Sequence, residues 1–224
     1  SQNVLIDPNF ARWLFLLKRL RKPGVQIRDL PAIDLVLVTH AHFDHLHRPS
    51  LRAIVQHTLR MGQKAPKLVV PHHVFDLVSD LDFEDIVELD WWNSYRHSGL
   101  TITHVPSRHW GARVIKDSHR GYGGYVLRTG KQSLYHAGDT AYFDGFREIG
   151  ERLAPEVALL PIGAYHPENF RNVHTSPGDA TRAFLDLKSR WMVPMHYGTF
   201  RLSHEPMEEP LQLLEQEARA AGVL

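Results

Sequence analysis

The chain has 224 residues, enough for one large domain with a sizeable core, and its 43% hydrophobic and 23% charged residues are those of an ordinary globular protein. A formal net charge of +1 supplies no global field for steering nucleic acid, so no nucleic-acid partner is expected. Zero cysteines exclude disulfides, thiolate ligands and cysteine nucleophiles, so any metal must be held by carboxylates and by some of the 16 histidines.

Near the start, Trp13-Leu14-Phe15-Leu16-Leu17 abuts Lys18-Arg19-Leu20-Arg21-Lys22. The plainer reading is a core-covering helix or loop with a solvated basic end; the alternative is a segment, Trp13 to Lys22, that rests on an anionic membrane surface. No apolar stretch reaches the roughly 18 to 20 residues of a spanning helix and no secretory signal is legible, which predicts a cytoplasmic chain, soluble or peripheral to the membrane. Short apolar, β-branched runs then read as strands: Ile33 to Thr39, Lys67 to Val70, Ile86 to Leu89, Leu100 to Val105, Tyr122 to Arg128, Ser133 to His136, Val157 to Pro161 and Trp191 to Met195. Helices fall between many of them. Ser50 is placed to cap one whose Leu51, Ile54, Val55 and Leu59 share a face. Ser176, followed by Pro177 and Asp179, opens another through Leu187, and a third runs from about Pro206 to a stop at Gly222. Thr129-Gly130 reads as a hairpin turn. The pattern predicts an α/β protein with at least one antiparallel hairpin.

The unusual polar clusters follow strand ends. His40, His42, Asp44 and His45 come after the first predicted strand, Arg108-His109-Trp110 after the fourth, Gly138-Asp139-Thr140 after the sixth and His196-Tyr197-Gly198 after the last. Loops at one edge of a layered α/β protein converge, and ligand sites form there. Four ligand-type side chains within His40-Ala41-His42-Phe43-Asp44-His45 cannot all face one way, so the loop would offer them in two directions, to two adjacent metals. His109, Asp139 and His196 can complete both shells, and Asp139 can bridge the ions because a carboxylate has two oxygens. Mixed imidazole and carboxylate ligands suit zinc, two ions here, with iron or manganese as alternatives. His72 and His73 are read as cap or surface residues with cleft-lining as the alternative, and His136 as packed in the sheet. His57, His97, His104, His119, His166 and His204 are read as surface or loop residues, and Asp7-Pro8 as a turn device.

These residues carry a family resemblance. His40 to His45 has the HxHxDH form of the metallo-β-lactamase superfamily, and several phrases resemble its branch related to N-acylphosphatidylethanolamine-hydrolysing phospholipase D. They are Leu5-Ile6-Asp7-Pro8, Asp29-Leu30-Pro31, Asp34 to His47, Arg108-His109-Trp110, Ala137-Gly138-Asp139-Thr140, Pro161-Ile162-Gly163-Ala164-Tyr165, Val173-His174-Thr175-Ser176-Pro177 and Met195-His196-Tyr197-Gly198-Thr199-Phe200. The resemblance implies a four-layer αββα sandwich over residues 1–224 as a single domain. It implies His40, His42 and His109 on one zinc, Asp44, His45 and His196 on the other, Asp139 on both, and His174 near the leaving group. It also implies an N-terminal strand pair and a final strand that this sequence lacks, so the chain is expected to be trimmed at both ends or to have a smaller sheet.

The function so implied is hydrolysis by a metal-bridging hydroxide, with Asp44 holding the nucleophile and His174 assisting the leaving oxygen. The expected substrate is a phospholipid-like or other phosphodiester. A lactonase or another ester hydrolase of small metabolites, an iron-loaded oxidoreductase and a silent metal-stabilised binding protein are the alternatives.

Overall fold

The computed structural model describes residues 2–114 and 117–223. It divides into two compact units, one comprising Ser1–Asp90 and Trp110–Tyr122, the other Trp91–His109 and Gly123–Leu224. Each has its own sheet and its own core.

The first unit contains β1 (Val4–Ile6), β2 (Trp13–Leu14), β3 (Leu17–Lys18), β4 (Leu35–Leu37), helix α1 (Arg48–Arg60), β5 (Lys67–Pro71) and β6 (Asp85–Leu89). Strands β1, β4, β5 and β6 form a four-stranded sheet in that order, all parallel. Parallel strands are covered on both faces, which is why β4 reads as an unbroken apolar run: Leu35, Val36 and Leu37 are fully buried. Val36, Leu68 and Val70 pack with Leu51 and Ile54 of α1 to make the core. Helix α1 begins two residues before Ser50. His47 is its cap, accepting from the Ser50 amide, while the buried Ser50 hydroxyl lies 2.7 Å from His47 Nδ1 and accepts from Phe10 N. Strands β2 and β3 pair as a separate antiparallel ribbon. Trp13, Phe15, Leu16, Leu17 and Leu20 are exposed there and Leu14 is buried, so the expected core-covering helix or loop is a hairpin that turns Leu14 inward and most of its other apolar residues outward.

The second unit contains β7 (Ser94–His97), β8 (Leu100–Val105), β9 (Gly124–Thr129), β10 (Gln132–His136), α2 (Gly145–Leu153), β11 (Val157–Pro161), α3 (Pro177–Leu187), β12 (Trp191–Met195) and α4 (Glu209–Ala220). Its six strands lie in the order β12, β11, β10, β9, β8, β7. The half from β7 to β10 is antiparallel, and β10 to β12 is parallel. The predicted Thr129-Gly130 turn joins β9 to β10, with Gly130 at φ 55°. Pro194 lies within β12 at the sheet edge, in register with Leu160 of β11, where a missing N–H is tolerated. Tyr135, Phe146, Ile149, Leu160 and Leu187 centre the core. No helix among the described residues is long and apolar enough to cross a membrane.

Candidate metal centre

In the first unit the polar residues follow β4. The pairing of Ile6 with Leu37 sets Asp7 beside the chain as it leaves that strand. The Asp7 carboxylate accepts from Thr39 N at 2.7 Å, from the Thr39 hydroxyl at 2.6 Å and from His45 Nδ1 at 2.7 Å. Because a carboxylate only accepts, the proton of His45 is fixed on Nδ1, and Nε2 presents its lone pair 3.5 Å from Asp44 Oδ2. His40 is held the same way, its Nδ1 2.9 Å from the Thr39 hydroxyl, and its Nε2 comes within 2.9 Å of His42 Nδ1. Thus His40 and His42 converge as one pair, and Asp44 and His45 as another. The loop is braced from outside: Asn9 donates to Asp44 O, and Arg113 to the carbonyls of Ala41 and Leu46. Trp110 sets its ring 4.6 Å from that of His42.

In the second unit the buried carboxylate of Asp139 is the centre. His109 gives its Nδ1–H to Val173 O at 2.8 Å, which leaves Nε2 facing Asp139 Oδ2 at 3.9 Å. His174 Nε2 lies 3.5 Å from that same oxygen, and His196 Nε2 lies 3.2 Å from Oδ1. The two carboxylate oxygens therefore face different imidazoles. The loops that do this are tied together: Arg108 N donates to the Thr140 hydroxyl, Ala141 N to Arg108 O, and Thr175 Oγ1 to Pro161 O. His196 itself sits at φ 58°. Gly163 is required beside it, since a Cβ there would fall 2.3 Å from the His196 carbonyl oxygen.

A metal fits these donors. They are imidazoles and carboxylates alone, and His40, His45 and His109 each have one ring nitrogen fixed by a hydroxyl, carboxylate or carbonyl, the arrangement that sets tautomer and aim for metal-ligating histidines. The groups that fix these rings are not legible in the sequence. Asp7 is read there as a turn, and it is one, at φ 47°, yet its carboxylate also orients His45. His104, expected on a surface or loop, is instead buried within β8, against Tyr125. His72 and His73 are exposed and stacked on each other, with His72 on Asp90, as surface residues. His136 is buried in β10 and accepts from Gly138 N.

Residues 2–197 match the family model of the beta-lactamase superfamily domain, and the chain belongs to that family. It is 33% identical over 233 residues to the mitochondrial N-acyl-phosphatidylethanolamine-hydrolyzing phospholipase D of Saccharomyces cerevisiae, covering 98% of this chain and 48% of that one. It is 32% identical over 230 residues to a metal-dependent hydrolase of Rubrobacter xylanophilus, covering 100% of this chain and 84% of the other. Among solved structures, a metallo hydrolase from the archaeon Ignicoccus hospitalis superposes with a TM-score of 0.62 at 28% identity, over 86% of this chain and 74% of that one. The expected metallo-β-lactamase fold is borne out. The chain spans about half the length of several curated relatives that it matches.

Proposed function

We propose that the chain is a two-metal phosphodiesterase acting on phospholipid-like or related phosphodiesters. His40, His42, His109 and Asp139 would hold one ion, and Asp44, His45, His196 and Asp139 the other, each residue giving one donor atom. The observation that carries this is the Asp139 carboxylate, buried, with Oδ1 on the His196 side and Oδ2 on the side of His109 and His174, as a bridge between two cations requires. Zinc is the first choice for such ligands, and the yeast relative's name adds the substrate class.

Bound divalent ions supply Lewis acidity and lower the pKa of water from 15.7 to roughly 7. The protein does the rest. Asp44 accepts a hydrogen bond from the attacking water and orients it. His174, within reach of Asp139 but outside both donor sets, is the imidazole that would give the leaving oxygen a proton. The test is turnover of bis(p-nitrophenyl) phosphate by protein loaded with zinc, manganese or iron. Asp139→Asn should lose both metal and turnover. His174→Ala should keep its metal and lose about 10²- to 10⁴-fold in turnover. Cleavage of a lactone but no phosphodiester, under every metal, would overturn the assignment.

A further inference from the structure

The loop between β12 and α4 carries Ser203-His204-Glu205, which enters neither donor set, yet Glu205 is a buried carboxylate, 7% exposed. It lies in the second unit, as do the groups that hold it. One oxygen accepts from Ala164 N at 2.7 Å and from the Ser203 hydroxyl at 2.5 Å, and the other accepts from His166 N at 3.2 Å. His204 N donates to His166 O, so two segments 41 positions apart are laced together. All three donors to the carboxylate are neutral. Burial raises the pKa of this carboxyl, but the Ser203 hydroxyl and the amides outweigh it and hold it below its ordinary value of 4.5. Glu205 is therefore an anion at neutral pH, and a buried anion held by neutral groups is costly to keep.

What this anion fixes is the turn beside a metal ligand. Strands β11 and β12 are parallel, with Pro161 in register with Met195, so the chain segments that follow them leave the sheet side by side, and Ile162 N donates to Met195 O. Gly163 then runs so close to the His196 carbonyl that the two backbones have no slack. Ala164 at φ 64° and His196 at φ 58° both hold backbone that residues with a Cβ rarely adopt, and such conformations persist only where the surroundings fix them. For Ala164 the fixing group is Glu205, through its amide. Glu205 and His196 also line one cavity of about 20 Å³. That is room for a single water, which needs roughly 10–15 Å³. Among the described residues on that cavity the one permanently charged cation, Arg201, is exposed.

We infer that Glu205 is a positioning residue for the ion on His196: it fixes the turn that sets the His196 backbone, and its charge shares with His196 a cavity the size of one water. The inference rests on the two-ion reading above and adds a support for the second ion, as Asp7 supports the same ion through His45. A divalent ion on His196 supplies the cation that a buried anion calls for.

The test is a titration of metal-free protein with cobalt(II), counting equivalents by competition with a chromophoric chelator and following the visible absorption of the bound ion. The parent should bind two equivalents. Glu205→Gln removes the charge and sets an amide N–H against a backbone donor. It should weaken by about 10- to 100-fold the ion that His196→Ala also weakens, and shift its absorption, with the other ion unchanged. Ser203→Ala removes one donor and keeps the carboxylate, so it should move the same ion the same way by less, and it decides the outcome if Glu205→Gln does not fold. A merely structural role lowers Tm and moves neither affinity. Affinities unchanged in both variants overturn the inference, and so does an equal loss of both ions. A parent that binds one equivalent ends the two-ion reading and leaves this one to be judged on that ion. Weakening in both Glu205→Gln and His196→Ala then supports Glu205, and weakening in His196→Ala alone overturns it. An ion indifferent to His196→Ala, or a parent that binds none, removes His196 from the metal and Glu205 with it.

Discussion

Asp7 shows how much one carboxylate sets. It fixes the backbone and hydroxyl of Thr39 and the tautomer of His45, so three of its hydrogen bonds decide how the ligand loop leaves β4. Asp7→Asn keeps size and removes charge, and its amide would set N–H against N–H at His45. Metal affinity should fall about 10- to 100-fold with the fold intact, measured by competition with a chromophoric chelator. An unchanged affinity would make Asp7 a turn residue only. Asp-Pro at φ 47° looks like a turn in sequence because it is one. The partner that reveals its other role lies 38 positions away, and no local spacing carries that. At a second residue the chemistry is acid-sensitive. Arg120 donates two hydrogen bonds to the Asp76 carboxylate and holds it below its ordinary value of 3.8. A carboxyl lowered in the fold stabilises above its unfolded value and loses that contribution as pH falls through the lowered one. Asp76→Asn should therefore flatten the decline of stability below about pH 4, by under about 1 kcal/mol given the solvent exposure of Asp76. Urea unfolding at pH 3 and pH 7 measures it.

At the scale of elements, strands and caps differ in how well they announce themselves. Strands β8, β11 and β12 have the bounds that their apolar runs predict, because each is a buried or sheet-packed stretch ended by a polar loop. Helix α3 is as legible: Ser176 and Asp179 form a reciprocal capping box, and Pro177 takes the first position. Ser176→Ala should cost about 1 kcal/mol and lower Tm by about 2–4 °C, read by thermal and urea unfolding. No change would mean that Arg171, which holds Asp179, suffices to start the helix. Elsewhere local signals mislead. His47 caps α1 although serine is the commoner cap, because the Ser50 amide and hydroxyl are both within reach of Nδ1. Strands β2 and β3 have two residues each, too few to show any alternation. Helix α2 contains Gly150, a weak helix former that is needed where a Cβ would meet the Leu187 backbone at 2.7 Å.

On the scale of the molecule, the phrases that carry the family resemblance are divided between the two units. The first supplies His40, His42, Asp44 and His45; the second supplies His109, Asp139, His174 and His196. Neither half has a full shell for two ions under the assignment proposed above, so metal binding should be linked to the stability of both. A ligand that binds only the native state stabilises it by about 4.1 kcal/mol at a thousand times its Kd. Stripping the metal with a chelator should lower Tm, and zinc should restore it. His40→Ala and His196→Ala change one donor in each unit, and each should reduce the zinc-induced rise, whereas Asp139→Asn should abolish it because it serves both ions. A full rise retained in His40→Ala, with His196→Ala inert to zinc, would assign the metal to the second unit alone and end the two-ion assignment.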